Sequence, residues 1–384
     1  MAQAVIDCDN HLFESRDLWA EHIDPALRHL ALRIEDDDRG HAWLTFGGQP
    51  IHLAEVHTPG RVAPMGEYRA RVRAGLPPEV PYDEALPPHY GEPSARVTKL
   101  KEQGIDGAVV FPHYGLFWLR TLEAHREAQL ANLSAWNRWA VSVRAEGHGH
   151  LYPVGHVSLR DLDWLRRELA GLAAGGVRLA MMPPTPVDGR PLSDPSLDEA
   201  WSAFVDSGIS PMFHISDFAR PFDDAWYEGD ANPIEPLFMS VFISTPPTVA
   251  LSDMATNGVF ERHPELRLGL VEFTSSWLVP FLRALDVSYE FHGSYNGLPT
   301  DRLSLRPSEY IRRQVRAATF GFEHPTALAD KVGDLFMFGS DYPHAEGSAH
   351  PLEDFSASGG PAPSDDTAGL YHDNVAWLLG EPPG

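Results

Sequence analysis

Val5-Ile6-Asp7-Cys8-Asp9-Asn10-His11 is a short apolar run that ends in a carboxylate and an imidazole, and the fold is read outward from it. Two later runs end the same way, Pro211-Met212-Phe213-His214 and Phe336-Met337-Phe338-Gly339-Ser340-Asp341. A polar group buried at a strand end costs roughly 2–7 kcal/mol unless something binds it. Several such ends meeting in space make a metal site. Between them, short apolar or β-branched runs near residues 4–9, 107–112, 150–157, 177–182, 210–215, 266–272, 315–321 and 335–340 read as strands. Segments of helical pattern separate them, Leu122 to Arg144 and Leu162 to Ala174 among them. This alternation predicts an α/β chain whose βα units close into a (β/α)8 TIM barrel, expected as one domain over residues 1–384. In such barrels function sits at the C-terminal strand ends, where Asp9, His11, His214 and Asp341 fall.

Residues 35–95 break the repeat as an insertion after the first strand. Within 35–55, Asp36-Asp37-Asp38-Arg39-Gly40 and Gly47-Gly48 flank Trp43-Leu44-Thr45-Phe46, predicting a hairpin. Residues 56–95 are rich in Pro, Gly and Tyr and read as a long loop acting as a lid or subunit contact, hence an expected homodimer. A second loop, Pro351 to Asp366, is expected to border the site. The formal charge of −24 excludes electrostatic docking on nucleic acid or an anionic membrane. No uncharged apolar run reaches the about 18 residues of a membrane span, and the start lacks a signal-peptide pattern. The lone Cys8 allows no internal disulfide, which fits a cytoplasmic protein.

Strict strand alternation places Asp7, Asp9 and His11 on one face, with Cys8 and Asn10 on the other. Asp9 and His11 then reach one ion together. Nitrogen and oxygen donors suit Zn, Mn or Fe, so one divalent metal is the expected cofactor. Phosphate-binding glycine loops and the G-x-S-x-G elbow are absent, which favours a metal over an organic cofactor or a serine nucleophile.

Four stretches carry a resemblance: Val5 to Glu14, Phe213-His214, Gly258-Val259-Phe260-Glu261-Arg262-His263-Pro264-Glu265-Leu266-Arg267, and Phe338-Gly339-Ser340-Asp341-Tyr342-Pro343-His344. In order and spread they resemble the amidohydrolase-related branch of the amidohydrolase superfamily, the group that includes aminocarboxymuconate semialdehyde decarboxylase and related aromatic acid decarboxylases. The resemblance implies a distorted (β/α)8 barrel with one divalent metal. It implies metal ligation by Asp9, His11, His214 and Asp341, with Asp341 also contacting an activated water or the substrate. Asp9 stands where many relatives have His or Glu, which makes the site harder and tilts it toward Mn or Fe. Glu272 stands where decarboxylating relatives carry a histidine acid or base. It is read either as a proton carrier or as a support for a ligand imidazole.

Further candidates near the mouth are Glu14, which orients a loop, and His113, His156 and His344, which contact substrate or stay satisfied within the rim. Tyr114, Phe117 and Trp118 form an apolar wall for a ring or pack a loop, while Trp136, Trp139 and Asn374 are structural. Arg178 lies at the wrong strand end for chemistry. The expected function is metal-dependent, non-oxidative decarboxylation of a small aromatic or unsaturated carboxylic acid, with Asp341, Glu272 and His214 as catalytic residues. The alternatives are metal-assisted hydrolysis of an amide or lactone, with Asp341 as base, and a non-catalytic binding barrel.

Overall fold

The computed structural model describes residues 4–38, 42–55, 82–85, 87–217, 222, 240–297, 302–344, 347 and 349–381. Eight parallel strands follow one another around the sheet: β1 (Ile6–Leu12), β5 (Gly107–Pro112), β6 (Leu151–His156), β7 (Leu179–Met181), β8 (Ser210–His214), β9 (Leu268–Val271), β10 (Val315–Thr319) and β11 (Phe336–Phe338). Each coincides with a run expected from the sequence. The ring closes where Asp341 N donates to Asp9 O (2.9 Å) and His11 N donates to Tyr342 O (2.8 Å). Helices α1 (Pro93–Glu102), α2 (Arg126–Glu146), α3 (Leu162–Ala174), α4 (Asp198–Ser207), α5 (Thr245–Thr256), α6 (Leu278–Asn296), α7 (Pro307–Gln314) and α8 (Pro325–Val332) cover the outside. The expected α3 matches residue for residue, because Asp161 caps its start by accepting from Trp164 N at 2.9 Å and Gly175 ends it. The helix expected from Leu122 begins only at Arg126, since turns occupy residues 119–124.

Inside the barrel, Ile6, Cys8, Val109, Phe111, Val154, Leu179, Met181, Met212, Val271, Ala318 and Met337 form a closed apolar cluster. Val375, Leu378 and Leu379 join it from the last helix, Asn374–Leu378, and plug the N-terminal end. Arg178 lies at that end, donating to Ala173 O and Val177 O, as expected of a structural arginine. The opposite end is free to carry chemistry.

The expected hairpin is present as β3 (Ala42–Phe46) and β4 (Gln49–Glu55), and a third strand, β2 (Arg33–Asp36), extends it into an antiparallel sheet. The acidic stretch read as a turn starts at the end of that edge strand, with Asp36 paired to Ala42. Asn132 of α2 anchors this segment, accepting from Leu32 N and donating to Leu30 O, both at 2.8 Å. The expected lid or subunit contact over 56–81 and 86 lies outside the described residues. The loop from Pro351 does not border the site along its first half. Residues Pro351–Ala357 are helical, and Phe355 packs edge-on to Phe338 (5.0 Å) in the outer core.

Strict alternation fails in β1. Its pairing with β5 slips between Asp7 and Asn10, a bulge that inserts one residue. Cys8 therefore stays inside, Asp9 and His11 both face the barrel mouth, and Asp7 joins Asn10 on the outer side. There Asp7 accepts from Asp9 N (3.1 Å), Asn10 Nδ2 (2.9 Å), Ser340 N (2.9 Å) and Ser340 Oγ. Asn10 in turn accepts from the fully buried Arg96, whose Nε donates to His89 O (2.7 Å). Asp7 thus joins the two strand ends that carry the site. Replacing it, Asp7→Ala, leaves four donors without an acceptor and is expected to destabilise the protein by about 3 kcal/mol or more. Urea denaturation measures this, and an unchanged midpoint contradicts the assignment.

Candidate metal centre

Each candidate ligand leaves the C-terminal end of its strand: Asp9 and His11 from β1, His214 from β8, Glu272 after β9 and Asp341 after β11. Glu272 (φ 67°) and Asp341 (φ 54°) both hold left-handed backbone, which turns their carboxylates back over the mouth. Gly339 makes room for this, because a Cβ there would come within 3.0 Å of Asp9 Cβ and 3.3 Å of Cys8 Sγ.

Backbone carbonyls fix both imidazoles: His11 Nδ1 lies 2.7 Å from Pro112 O, and His214 Nδ1 lies 2.8 Å from Ile215 O. A carbonyl only accepts, so each Nδ1 carries a proton and each Nε2 turns inward. His11 Nε2 meets Asp9 Oδ1 at 3.3 Å and Asp341 Oδ1 at 3.2 Å, while His214 Nε2 meets Asp9 Oδ1 and Glu272 Oε2 at 3.5 Å. These contacts are misaligned for hydrogen bonds. Among the described residues, Asp9 Oδ1, both Nε2 atoms and both Asp341 carboxylate oxygens are buried with no hydrogen-bond partner. Asp9, His11 and His214 present donors within 4.8 Å of one another, as do His11, Glu272, Asp341 and His344. The two groups share His11, and these orphaned nitrogen and oxygen atoms form a hard donor set that fits a divalent cation.

Glu272 Oε2 faces the Nε2 of His214, whereas the Nδ1 of that ring is held by Ile215 O.

Two of the outer candidates join the centre. His344 Nδ1 lies 2.8 Å from Asp341 Oδ1, and His344 Nε2 lies 2.6 Å from His113 Nδ1, so three titratable groups stand in a row. His113 also stacks on Phe13 at 3.7 Å. Glu14 does not reach the centre. Its carboxylate accepts from His113 N (3.1 Å), Tyr114 N (3.0 Å) and Gly115 N (2.8 Å), which fixes the loop that carries His113. His156 is buried at the end of β6 against Trp118 (6.0 Å), apart from both ligand groups. Burial first, then the nearby His214, lowers its pKa to about 3, so it is neutral. Trp118 is buried on this wall, as are Trp136 in the core and Asn374, which donates to Phe336 O. Sequence reasoning missed Asp217, a buried carboxyl three residues beyond His214, and Arg96. A charged residue directly following the His214 run was the available signal for the first, while Arg96 lies in an ordinary amphipathic helix.

No protein-family model and no curated protein matches the chain. Solved structures do. An amidohydrolase from Mycobacterium avium subsp. paratuberculosis K-10 (map2389c) is 26% identical, with a TM-score of 0.79 over 99% of this chain and 100% of that one. The 5-carboxyvanillate decarboxylase LigW from Sphingomonas paucimobilis is 18% identical, with a TM-score of 0.65 over 99% and 100%. The 5-carboxyvanillate decarboxylase from Novosphingobium aromaticivorans DSM 12444, complexed with manganese and 4-hydroxy-3-methoxy-5-nitrobenzoic acid, is 16% identical, with a TM-score of 0.65 over 98% and 96%. The resemblance to the amidohydrolase superfamily and the barrel expected from the sequence are borne out.

Burial alone would push His11 down, but Asp341 and Asp9 raise its pKa to about 10 in the metal-free protein. Burial likewise pushes Asp9 up, yet His11 and His214 hold it below the ordinary carboxylate range. Burial lowers His214. Metal-free protein at pH 7 therefore carries one proton beyond the two on the Nδ1 atoms, held at His11 Nε2. A cation must displace it, so loading is expected to release about one proton per ion and to tighten as pH rises toward 10. The raised pKa has the opposite sign for metal-free stability, which is full below about 6.5 and lost as pH passes 10. Calorimetry in buffers of different ionisation enthalpy counts the protons, and none released at pH 7 contradicts this charge state.

Proposed function

We propose that this chain is a metal-dependent enzyme that removes carbon dioxide, without oxidation, from a small aromatic or unsaturated carboxylic acid. The observation that carries the reading is the row Asp341, His344, His113, a carboxylate at the metal centre backed by two imidazoles in contact. The solved decarboxylases of the same fold support it. Asp9, His11, His214 and Asp341 would hold the ion, with Glu272 beside it, and the three carboxylates favour Mn or Fe over Zn. When bound, the ion supplies Lewis-acid attraction for the substrate carboxylate or a neighbouring oxygen. Asp341 delivers a proton to the carbon that loses carbon dioxide, and His344 restores it from the His113 side. Glu14 keeps His113 in line by fixing its backbone. The buried apolar walls around Phe13, Phe111 and Trp118 exclude water.

A homodimer is part of this reading. It is supported by the exposed apolar residues Val287, Phe291 and Tyr295, spaced four apart on α6, and sedimentation tests it directly. A cytoplasmic location is supported by a single buried, unpaired Cys8.

Hydrolysis is the second reading, and one observation favours it: three carboxylates around two imidazoles oppose an incoming carboxylate. Asp341 is then the base that takes a proton from water. Turnover in deuterium oxide and in oxygen-18 water separates the two. Decarboxylation is expected to give carbon dioxide and deuterium on product carbon, with Asp341→Asn slowing turnover about 10²–10⁴-fold and Glu272→Gln slowing it less. Oxygen-18 in the product without carbon dioxide overturns the first reading in favour of the second.

A further inference from the structure

Beside the metal centre, a cleft of about 340 Å³ opens where the chain leaves β6, β7 and β8. Val157 and Leu159, Met182, Pro183 and Pro186 give it apolar walls. Its volume suits a small ring. Its charged groups are mostly committed: the Arg160 guanidinium donates to Asp188 (2.9 Å), Glu123 O (2.8 Å) and Gln129 Oε1 (3.1 Å).

Asp217 is a buried carboxyl group in this lining. Its side chain lines the cleft at 6% residue exposure, and only Oδ2 is used, accepting from Arg120 N at 2.9 Å. Among the described residues, Oδ1 is buried with no hydrogen-bond partner. Trp118 Nε1, His156 Nε2 and Ser216 Oγ, each on a residue next in sequence to one that lines the cleft, are also buried without hydrogen-bond partners among the described residues. Buried polar atoms in a native protein are normally paired, so a run of orphans ending on a cleft wall marks where a bound molecule makes its contacts. Asp217 follows the metal-facing His214 by three residues, which limits their Cα separation to about 10 Å.

We propose that this cleft is the subsite for the far end of the substrate, a ring or other apolar body carrying a hydroxyl or amine that donates to Asp217 Oδ1. The proposal rests on the metal-centred reading above, with the carboxylate end at the ion and the donor group some three residues' length away. Burial raises the Asp217 pKa to about 7, against the pull of the Arg120 backbone and charge. At pH 8 the carboxylate is therefore a strong acceptor, and below pH 6 it is protonated. Selectivity for a donor group grows as pH rises through 7.

The test uses manganese-loaded full-length protein and a matched pair of probes, 3-(4-hydroxyphenyl)propanoate and 3-phenylpropanoate, titrated by calorimetry at pH 8. Wild type is expected to bind the hydroxylated probe at least 10-fold more tightly. Asp217→Ala is expected to abolish that preference while leaving metal content and affinity for 3-phenylpropanoate unchanged. Should Asp217→Ala fail to fold, Thr185→Trp at the cleft mouth is expected to weaken both probes at least 10-fold. Equal binding of the probes to wild type, a preference that survives Asp217→Ala, probe binding indifferent to Thr185→Trp, or no binding of either probe overturns the subsite. Metal content measured on the same samples tells the two failures apart. A loaded protein without the preference sinks the subsite alone, and a protein that takes up no metal sinks the metal-centred reading with it.

Discussion

The site depends on the seam that closes the barrel. Asp341 N donates to Asp9 O, and His11 N donates to Tyr342 O, so the first and last strands meet at the residues that bear the chemistry. Carboxylates and imidazoles from elements far apart in sequence meet here in two groups that share His11. The seam is braced from behind by Asp7 and Ser340, and Arg96 extends that brace to α1 through Asn10. A cation is the one partner that satisfies lone pairs arriving from every side. Without it, the pocket holds a proton on His11 and unmet oxygens on Asp341.

Much of this was legible in the sequence for a simple physical reason. A buried parallel strand reads as an apolar run, and a ligand residue at its end is conspicuous because nothing apolar explains it. His214 and Asp341 were placed that way. The β1 bulge was not legible: alternation predicted Asp7 beside Asp9, and only pairing with β5 shows the extra residue that turns Asp7 outward. The edge strand Arg33–Asp36 was hidden for a related reason, since half of it is acidic and solvent-facing and its partner strand decides its conformation. Asp217 and Arg96 were missed because a charged residue in a loop or helix is usually solvated, and burial of either comes from tertiary packing.

Charge distinguishes this centre from a plain two-imidazole, two-carboxylate site. Glu272 adds a third carboxylate on strained backbone, facing the same nitrogen of His214 that Asp9 faces. A backbone conformation of this kind costs of order 1 kcal/mol or more and persists where surrounding structure enforces it. Here it turns a third carboxyl group toward the imidazole of His214, which makes the donor set harder.

Elemental analysis of metal-reconstituted protein after removal of loosely held ions tests the central claim most directly. One Mn, Fe or Zn per chain is predicted, reduced to a small fraction in folded His214→Ala protein. No tightly held ion, or full occupancy without His214, contradicts the account.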